Sequence, residues 1–223
     1  MPATVFFDVN ETLSDTAPVL PVLHELGAHG TTPSSWLAAT LRDGFALSTT
    51  TGARPFPEVA RQTLTELLAA EPDLDGPVDA AVGRVMSVFG DLPVHEDVVG
   101  GVRRLVAADH RLVALSNGTA DYAGSLLRRA GIADAFHAVL SVDAVGAWKP
   151  DRRTYEHAAS VTGTAPADAV LVAVHPWDLH GARAAGFRTV HVDRSRTPWP
   201  RVFDAPDATV RSLADLATVL HVL

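Results

Sequence analysis

The 223-residue sequence contains no cysteine. Disulfide frameworks, thiolate zinc sites and thiol nucleophiles are therefore excluded, and oxygen and nitrogen groups must carry any chemistry. Positive charge is in the minority, with 18 Lys+Arg against 26 Asp+Glu and a formal net charge of -8. A chain of that sign repels phosphate backbones and anionic lipid, so neither nucleic acid nor a membrane surface is an expected partner. Long apolar runs are also missing. The longest, such as Val170 to Val174, falls far short of the roughly 18 residues of a membrane span. Acidic Asp8 and Glu11 stand where a signal peptide would be basic and then apolar. The expected address is the cytoplasm.

What is present is the composition of an ordinary globule, 47% hydrophobic and 20% charged. A chain of this size buries roughly three quarters of its unfolded surface. The length is about one and a half typical domains, which suits either two domains or one domain carrying a large insertion.

Thr4-Val5-Phe6-Phe7 is a β-branched and aromatic run that ends at Asp8 and is followed by polar Asn10, Glu11 and Thr12. It predicts a buried strand that delivers polar residues to its carboxyl end. The design recurs in Arg111 to Leu115 before Ser116-Asn117-Gly118, in Ala169 to Val174 before His175-Pro176-Trp177-Asp178, and in Phe187 to Val192 before Asp193. Between these strands the periodicity predicts helices over Val98 to Ala107, Ala120 to Ala130, Thr154 to Thr162 and Leu179 to Ala185, the last three closed by glycine. Such alternation implies a parallel sheet covered on both faces, with ligands outside the carboxyl ends of its strands.

From 14 to 93 the alternation breaks. Ser34 to Leu47, Phe56 to Ala70 and Val78 to Phe89 read as helices, joined by turn-rich Gly52-Ala-Arg-Pro55 and Glu71 to Pro77. The expected architecture is α/β: a parallel-sheet core built from 1–13 and 94–223, and an inserted α-helical cap, 14–93, after the first strand. The segment from Arg194 onward carries Pro198, Pro200 and Pro206 and then a short helix from Leu213, with no chemical signal.

Four motifs stand in order on this alternation: Asp8-Val9-Asn10-Glu11-Thr12-Leu13, Ser116-Asn117-Gly118, Lys149-Pro150, and Asp178 with Gly181-Ala182 and Ala185-Gly186. Together they resemble the haloacid dehalogenase superfamily, with its Rossmann-like core, and within it the bacterial (S)-2-haloacid dehalogenases. The superfamily also holds magnesium-dependent phosphatases, which resemble Asp-x-Asp at the first motif. Here the second position is Asn10, and an amide cannot protonate an alkoxide leaving group, whereas halide needs no proton. Phosphatases also place an acid four residues before the final Asp, where this chain has Val174. Asp8, a backbone carbonyl and Asp178 could still hold hydrated magnesium, which takes one or two carboxylates, but Lys149 would compete with it. No metal and no cofactor is expected; Mg2+ belongs only to the phosphatase alternative.

The resemblance implies a hydrolase in which Asp8 attacks the halogen-bearing carbon of a 2-haloacid and water hydrolyses the resulting ester. It assigns catalytic roles to Asp8, to Thr12 as its orienting partner, to Lys149 as the cation beside it, and to Asp178 on the hydrolytic water. His175 joins them in place of the usual Asn. Substrate contacts are implied for the backbone at Val9 and Asn10, for Arg42, Ser116, Asn117, Tyr155 and Trp177; Arg42 and Asn117 would face the halide, and Phe45 and Trp148 would help wall the site. Plainer readings remain for each: Asp8 and Thr12 as caps, Arg42 as an exposed surface residue, Tyr155 and His175 as core residues, Asp178 as the cap of a helix beginning at Leu179. A non-catalytic binding protein of the same fold is a third reading, against which stand Asp8, Lys149 and Asp178 together. The expected partner is a small-molecule 2-haloacid, and the oligomeric state stays open, a homodimer included.

Overall fold

Along Thr4–Phe7 the side chains alternate between two buried layers, with Val5 and Phe7 on one face and Phe6 on the other. This strand lies inside a sheet buried on both sides. The computed structural model describes residues 3–223. In chain order the elements are β1 (Thr4–Phe7), α1 (Val19–Glu25), α2 (Pro33–Thr50), α3 (Phe56–Ala69), α4 (Val78–Gly90), α5 (Glu96–Ala107), β2 (Arg111–Ser116), α6 (Ala120–Arg129), β3 (Phe136–Ser141), α7 (Arg152–Thr162), β4 (Ala169–Ala173), α8 (Pro176–Ala184), β5 (Arg188–Val192), β6 (Ala208–Val210) and α9 (Leu216–Val222).

The chain divides into two compact units. One joins the segment up to Ser14 with Val94–Leu223, and the other is Asp15–Pro93. Ser14, expected as the first residue of the insertion, stays with the first unit through its antiparallel bridge to Val94.

The first unit holds a six-stranded parallel sheet in the order β3-β2-β1-β4-β5-β6. Phe7 is level with Ala114 of β2 and Val172 of β4. The ends of three strands therefore meet where the strand order reverses, the place in an α/β sheet where loops part and a ligand crevice opens. One apolar layer combines Val5 and Phe7 with Val98, Val102 and Leu105 of α5, Leu126 and Leu127 of α6, and Leu216 and Leu220 of α9. The opposite layer combines Phe6 with Tyr155 and Ala158 of α7 and Leu179 and Ala182 of α8.

Two strands exceed the sequence expectation. β3 carries the burial pattern of a half-covered edge strand, and β6 is three residues long, so neither shows the continuous apolar run of a buried strand. Helix α8 also begins earlier than expected. His175 is its N-cap and Pro176 its first residue, which puts Trp177 and Asp178 in the first turn rather than before the helix.

The second unit is built from α1 to α4. Trp36 of α2 is fully enclosed, donates its indole N–H to the Ala60 carbonyl at 2.8 Å, and meets Phe89 of α4 edge to face at 5.0 Å. Thr40 and Thr63 satisfy each other at 2.8 Å within the same interior. Helix α1, seven residues with a proline at its third position, is too short for its periodicity to show in the sequence. Among the described residues no helix is long and apolar enough to cross a membrane.

Candidate active site

Asp8 follows the last residue of β1, and its backbone N–H continues the sheet by donating to the Val172 carbonyl at 3.0 Å. The loop after it closes into a tight turn, with Val9 accepting from the N–H of Leu13 and of Ser14. Thr12 is thereby returned to the strand end. Its hydroxyl accepts the Val174 N–H at 3.1 Å, so its own hydrogen is free to go to Asp8 Oδ2, 2.7 Å away.

Lys149, the only lysine in the chain, has no solvent exposure. Its three ammonium hydrogens are matched by Asp8 Oδ1 at 2.7 Å, Asp178 Oδ2 at 2.7 Å and the Leu115 carbonyl at 3.0 Å. Burial disfavours the ammonium, but the two carboxylates outweigh it and raise its pKa. Asn117 fixes this loop by accepting the Lys149 N–H at 2.9 Å and offering its amide to the Lys149 carbonyl at 3.4 Å, which leaves one amide hydrogen over. Ser116 Oγ accepts the Gly118 N–H at 2.9 Å and keeps its own hydrogen to donate.

Asp178 is fully buried and takes the Tyr155 hydroxyl on Oδ1 at 2.6 Å. Tyr155 is itself fully enclosed. Its hydroxyl is committed to Asp178, as a buttress beneath that carboxylate. Burial and the neighbouring Asp8 charge raise Asp178 against the pull of Lys149. At Asp8 the balance is reversed: burial alone would raise the carboxyl, but Lys149 and a hydrogen bond from His175 hold it well below the usual range.

His175 is no core histidine. Its Nδ1 lies 3.1 Å from Asp8 Oδ2 and its Nε2 3.0 Å from Glu11 Oε2. A carboxylate oxygen only accepts, so both ring nitrogens donate and the ring is an imidazolium. Burial works against that charge, yet the Asp8 and Glu11 hydrogen bonds push the pKa up to about 10. The Trp177 ring stands 5.1 Å from the imidazole. Glu11 is the one member of this cluster absent from the sequence-predicted set. Its place between Asn10 and Thr12 in the first motif was visible, but its pairing with a residue 164 positions away was not.

The remaining candidates are placed as follows. Val9 is fully buried, and Asn10 Oδ1 is buried without a hydrogen-bond partner among the described residues. Trp148, next to Lys149, is enclosed. Arg42 belongs to α2 of the helical unit, where it is largely exposed and pairs with Asp43 at 2.7 Å. Phe45 lies in the same helix and is half-buried. Among the described residues no group of three or more histidine or carboxylate side chains is arranged to hold a metal ion.

The sequence matches the family model of haloacid dehalogenase-like hydrolases over residues 2–186. It is 31% identical over 137 residues to (S)-2-haloacid dehalogenase 1 of Pseudomonas sp. (strain CBS-3), covering 61% of this chain and 60% of that protein. The chain thus spans less than two thirds of the length of the curated haloacid dehalogenases it matches. A phosphoserine phosphatase of Thermus thermophilus is 34% identical over 190 residues, 84% of this chain and 74% of that protein. Among solved structures, an L-2-haloacid dehalogenase superimposes with a TM-score of 0.91 at 26% identity, covering 99% of both chains.

Proposed function

The chain belongs to the haloacid dehalogenase-like hydrolases, and from that premise we propose that it hydrolyses the carbon–halogen bond of short 2-haloalkanoic acids, by way of an ester on Asp8, to 2-hydroxy acids. One observation carries the reading: the Lys149 ammonium stands between Asp8 and Asp178, 2.7 Å from each. The nucleophile is thereby kept ionised beside a fixed cation.

In the first step Oδ1 of Asp8 is the attacking atom. Oδ2 accepts from Thr12 and His175, while Oδ1 accepts from Lys149 alone among the described residues and keeps a free lone pair. The Oδ1–carbon bond forms as the carbon–halogen bond breaks from the opposite side, and halide leaves without needing a proton. The Ser116 hydroxyl and the backbone N–H groups at Val9 and Asn10 are suited to the substrate carboxylate, and the remaining amide hydrogen of Asn117 to the halide. In the second step water attacks the Asp8 carbonyl carbon. Asp178, with its proton affinity raised by burial, is matched to accept the water's proton.

The Thermus phosphatase supports a second reading, a magnesium-dependent phosphatase of a small phosphoester. The residues present do not fit it. Asp8 and Asp178 each give an oxygen to Lys149 where they would have to face the metal, Val174 stands where a third acid is needed, and Asn10 cannot protonate an alkoxide. The test measures halide and phosphate release side by side, from chloroacetate, fluoroacetate and a general phosphoester, with and without EDTA. Halide release that survives the chelator is the expected result; phosphate release that needs magnesium, with no halide, would overturn the reading.

A further inference from the structure

Glu11 is held in an unusual way. Its backbone has φ 61°, a left-handed conformation that side chains with a Cβ disfavour. Its N–H donates to Ser14 Oγ at 3.2 Å, and its carbonyl accepts from His95 Nε2 at 3.0 Å. These contacts from two neighbouring segments keep the turn in a shape that aims the Glu11 carboxylate at His175 Nε2. Strained backbone of this kind persists where the surroundings over-determine it, and it concentrates at functional sites.

We propose that His175 and Glu11 form a charged oxyanion donor for the second half-reaction: the Nδ1–H that faces Asp8 Oδ2 stabilises the negative charge on that oxygen when water attacks the ester, and Glu11 is the positioning residue that holds the ring there. This rests on the dehalogenase reading above. Once Oδ1 carries the substrate, Oδ2 is the carbonyl oxygen of the ester. Two donors already face it, the Thr12 hydroxyl at 2.7 Å and His175 Nδ1 at 3.1 Å, distances suited to an oxyanion hole. The oxygen of water bonds to Asp8 Cγ, and the carbonyl electron pair moves onto Oδ2. It returns as the Cγ–Oδ1 bond breaks. The water's proton passes to Asp178 and then to the departing Oδ1, which becomes the product hydroxyl, and the regenerated Asp8 carboxyl releases its proton to solvent.

Glu11 matters because esterification removes the Asp8 charge. Of the two carboxylates that keep His175 protonated in the free enzyme, only Glu11 remains beside it in the ester. Other charged and titratable groups nearby include Lys149 on the far oxygen of Asp8, Asp178 on the same helix, His95 on the Glu11 carbonyl, and His191 of β5, whose own pKa burial lowers. An imidazolium whose Nδ1–H points at the ester carbonyl oxygen and whose Nε2–H is held by Glu11 has no free acceptor for the water's proton, which separates this role from that of a general base.

The experiment follows halide burst and ester hydrolysis separately against pH, in the wild type and in Glu11→Gln, with the Asp8 adduct read by intact-protein mass. A donor role predicts hydrolysis that slows as pH rises through the titration of His175. In Glu11→Gln that alkaline limb moves to lower pH, hydrolysis slows about tenfold more than ester formation, and the adduct accumulates. Hydrolysis in the wild type that instead speeds up through that limb would make His175 a base and overturn the proposal without any variant. A normal burst with unchanged hydrolysis and an unmoved limb in Glu11→Gln overturns it as well. No halide burst from the wild type would defeat the dehalogenase reading itself, and this inference with it.

Discussion

The Lys149 ammonium lies 2.7 Å from Asp178 Oδ2, and neither side chain reaches solvent. A second carboxylate, Asp8, meets the same ammonium from the other side at 2.7 Å. The cation is shared, so its removal leaves two buried carboxylates facing each other. Exchanging Lys149 for Met should therefore lower stability by about 3–5 kcal/mol and halide release by at least about a hundredfold. Denaturant midpoints and halide assays check the two effects independently. A variant as stable as the wild type would show that the ammonium does not hold the site together.

On the proposed mechanism a single turnover in heavy-oxygen water should label the Asp8 carboxylate, because water would attack the ester at Cγ while the original Oδ1 leaves in the product. The product of a chiral 2-haloacid should be inverted, since only the first step takes place at the chiral carbon. Peptide mass analysis and chiral chromatography read these outcomes. Label found only in the hydroxy acid of that first turnover would mean that water attacks the substrate directly.

The pH dependence of stability has a defined sign on each side. His175 is raised in the folded protein to about 10, above its ordinary value of about 6.5. Its contribution is thus complete below the ordinary value and is lost as pH rises through the folded one. Melting temperature should fall over that alkaline window in the wild type, and fall less in His175→Gln. Asp8 is depressed, so its contribution is present above the ordinary carboxylate value and is lost on strong acidification, as pH falls towards the depressed value. Parallel alkaline slopes in the two proteins would contradict the assignment of His175.

Gly181 of α8 is a packing requirement of the site. A Cβ there would stand 2.5 Å from Pro150 Cβ and 2.8 Å from the Tyr155 hydroxyl. Gly181→Ala should destabilise by about 1–3 kcal/mol and lower kcat more than it raises KM, because the displaced groups are the neighbour of Lys149 and the buttress of Asp178. Calorimetry with steady-state kinetics tests it; a neutral substitution would mean that the helix shifts without disturbing either group.

Much of the sheet unit is legible in the order of the amino acids. Thr4–Phe7, Ala169–Ala173 and the polar residues at their ends stand out because a strand buried on both faces must be continuously apolar and then stop where the chain meets solvent. The helices between them show through their period and closing glycines. The edge strands Phe136–Ser141 and Ala208–Val210 do not stand out, since a strand with one partner and a half-exposed face needs no such run. Asp8, Lys149 and Asp178 are likewise marked by motif and order, so the chain's local pattern was enough for the four inner strands of the sheet and for the residue types that meet at their ends. The resemblance implied Thr12 and Lys149 beside Asp8, and the structure has both contacts, but the full set of partners was beyond the sequence. That Lys149 has all three donors taken, that Tyr155 lies beneath Asp178, and that His175 is an imidazolium between Asp8 and Glu11 emerged only from the folded arrangement. Charge state and hydrogen-bond partner depend on burial and on groups brought within about 3 Å from distant parts of the chain, and a sequence encodes neither locally.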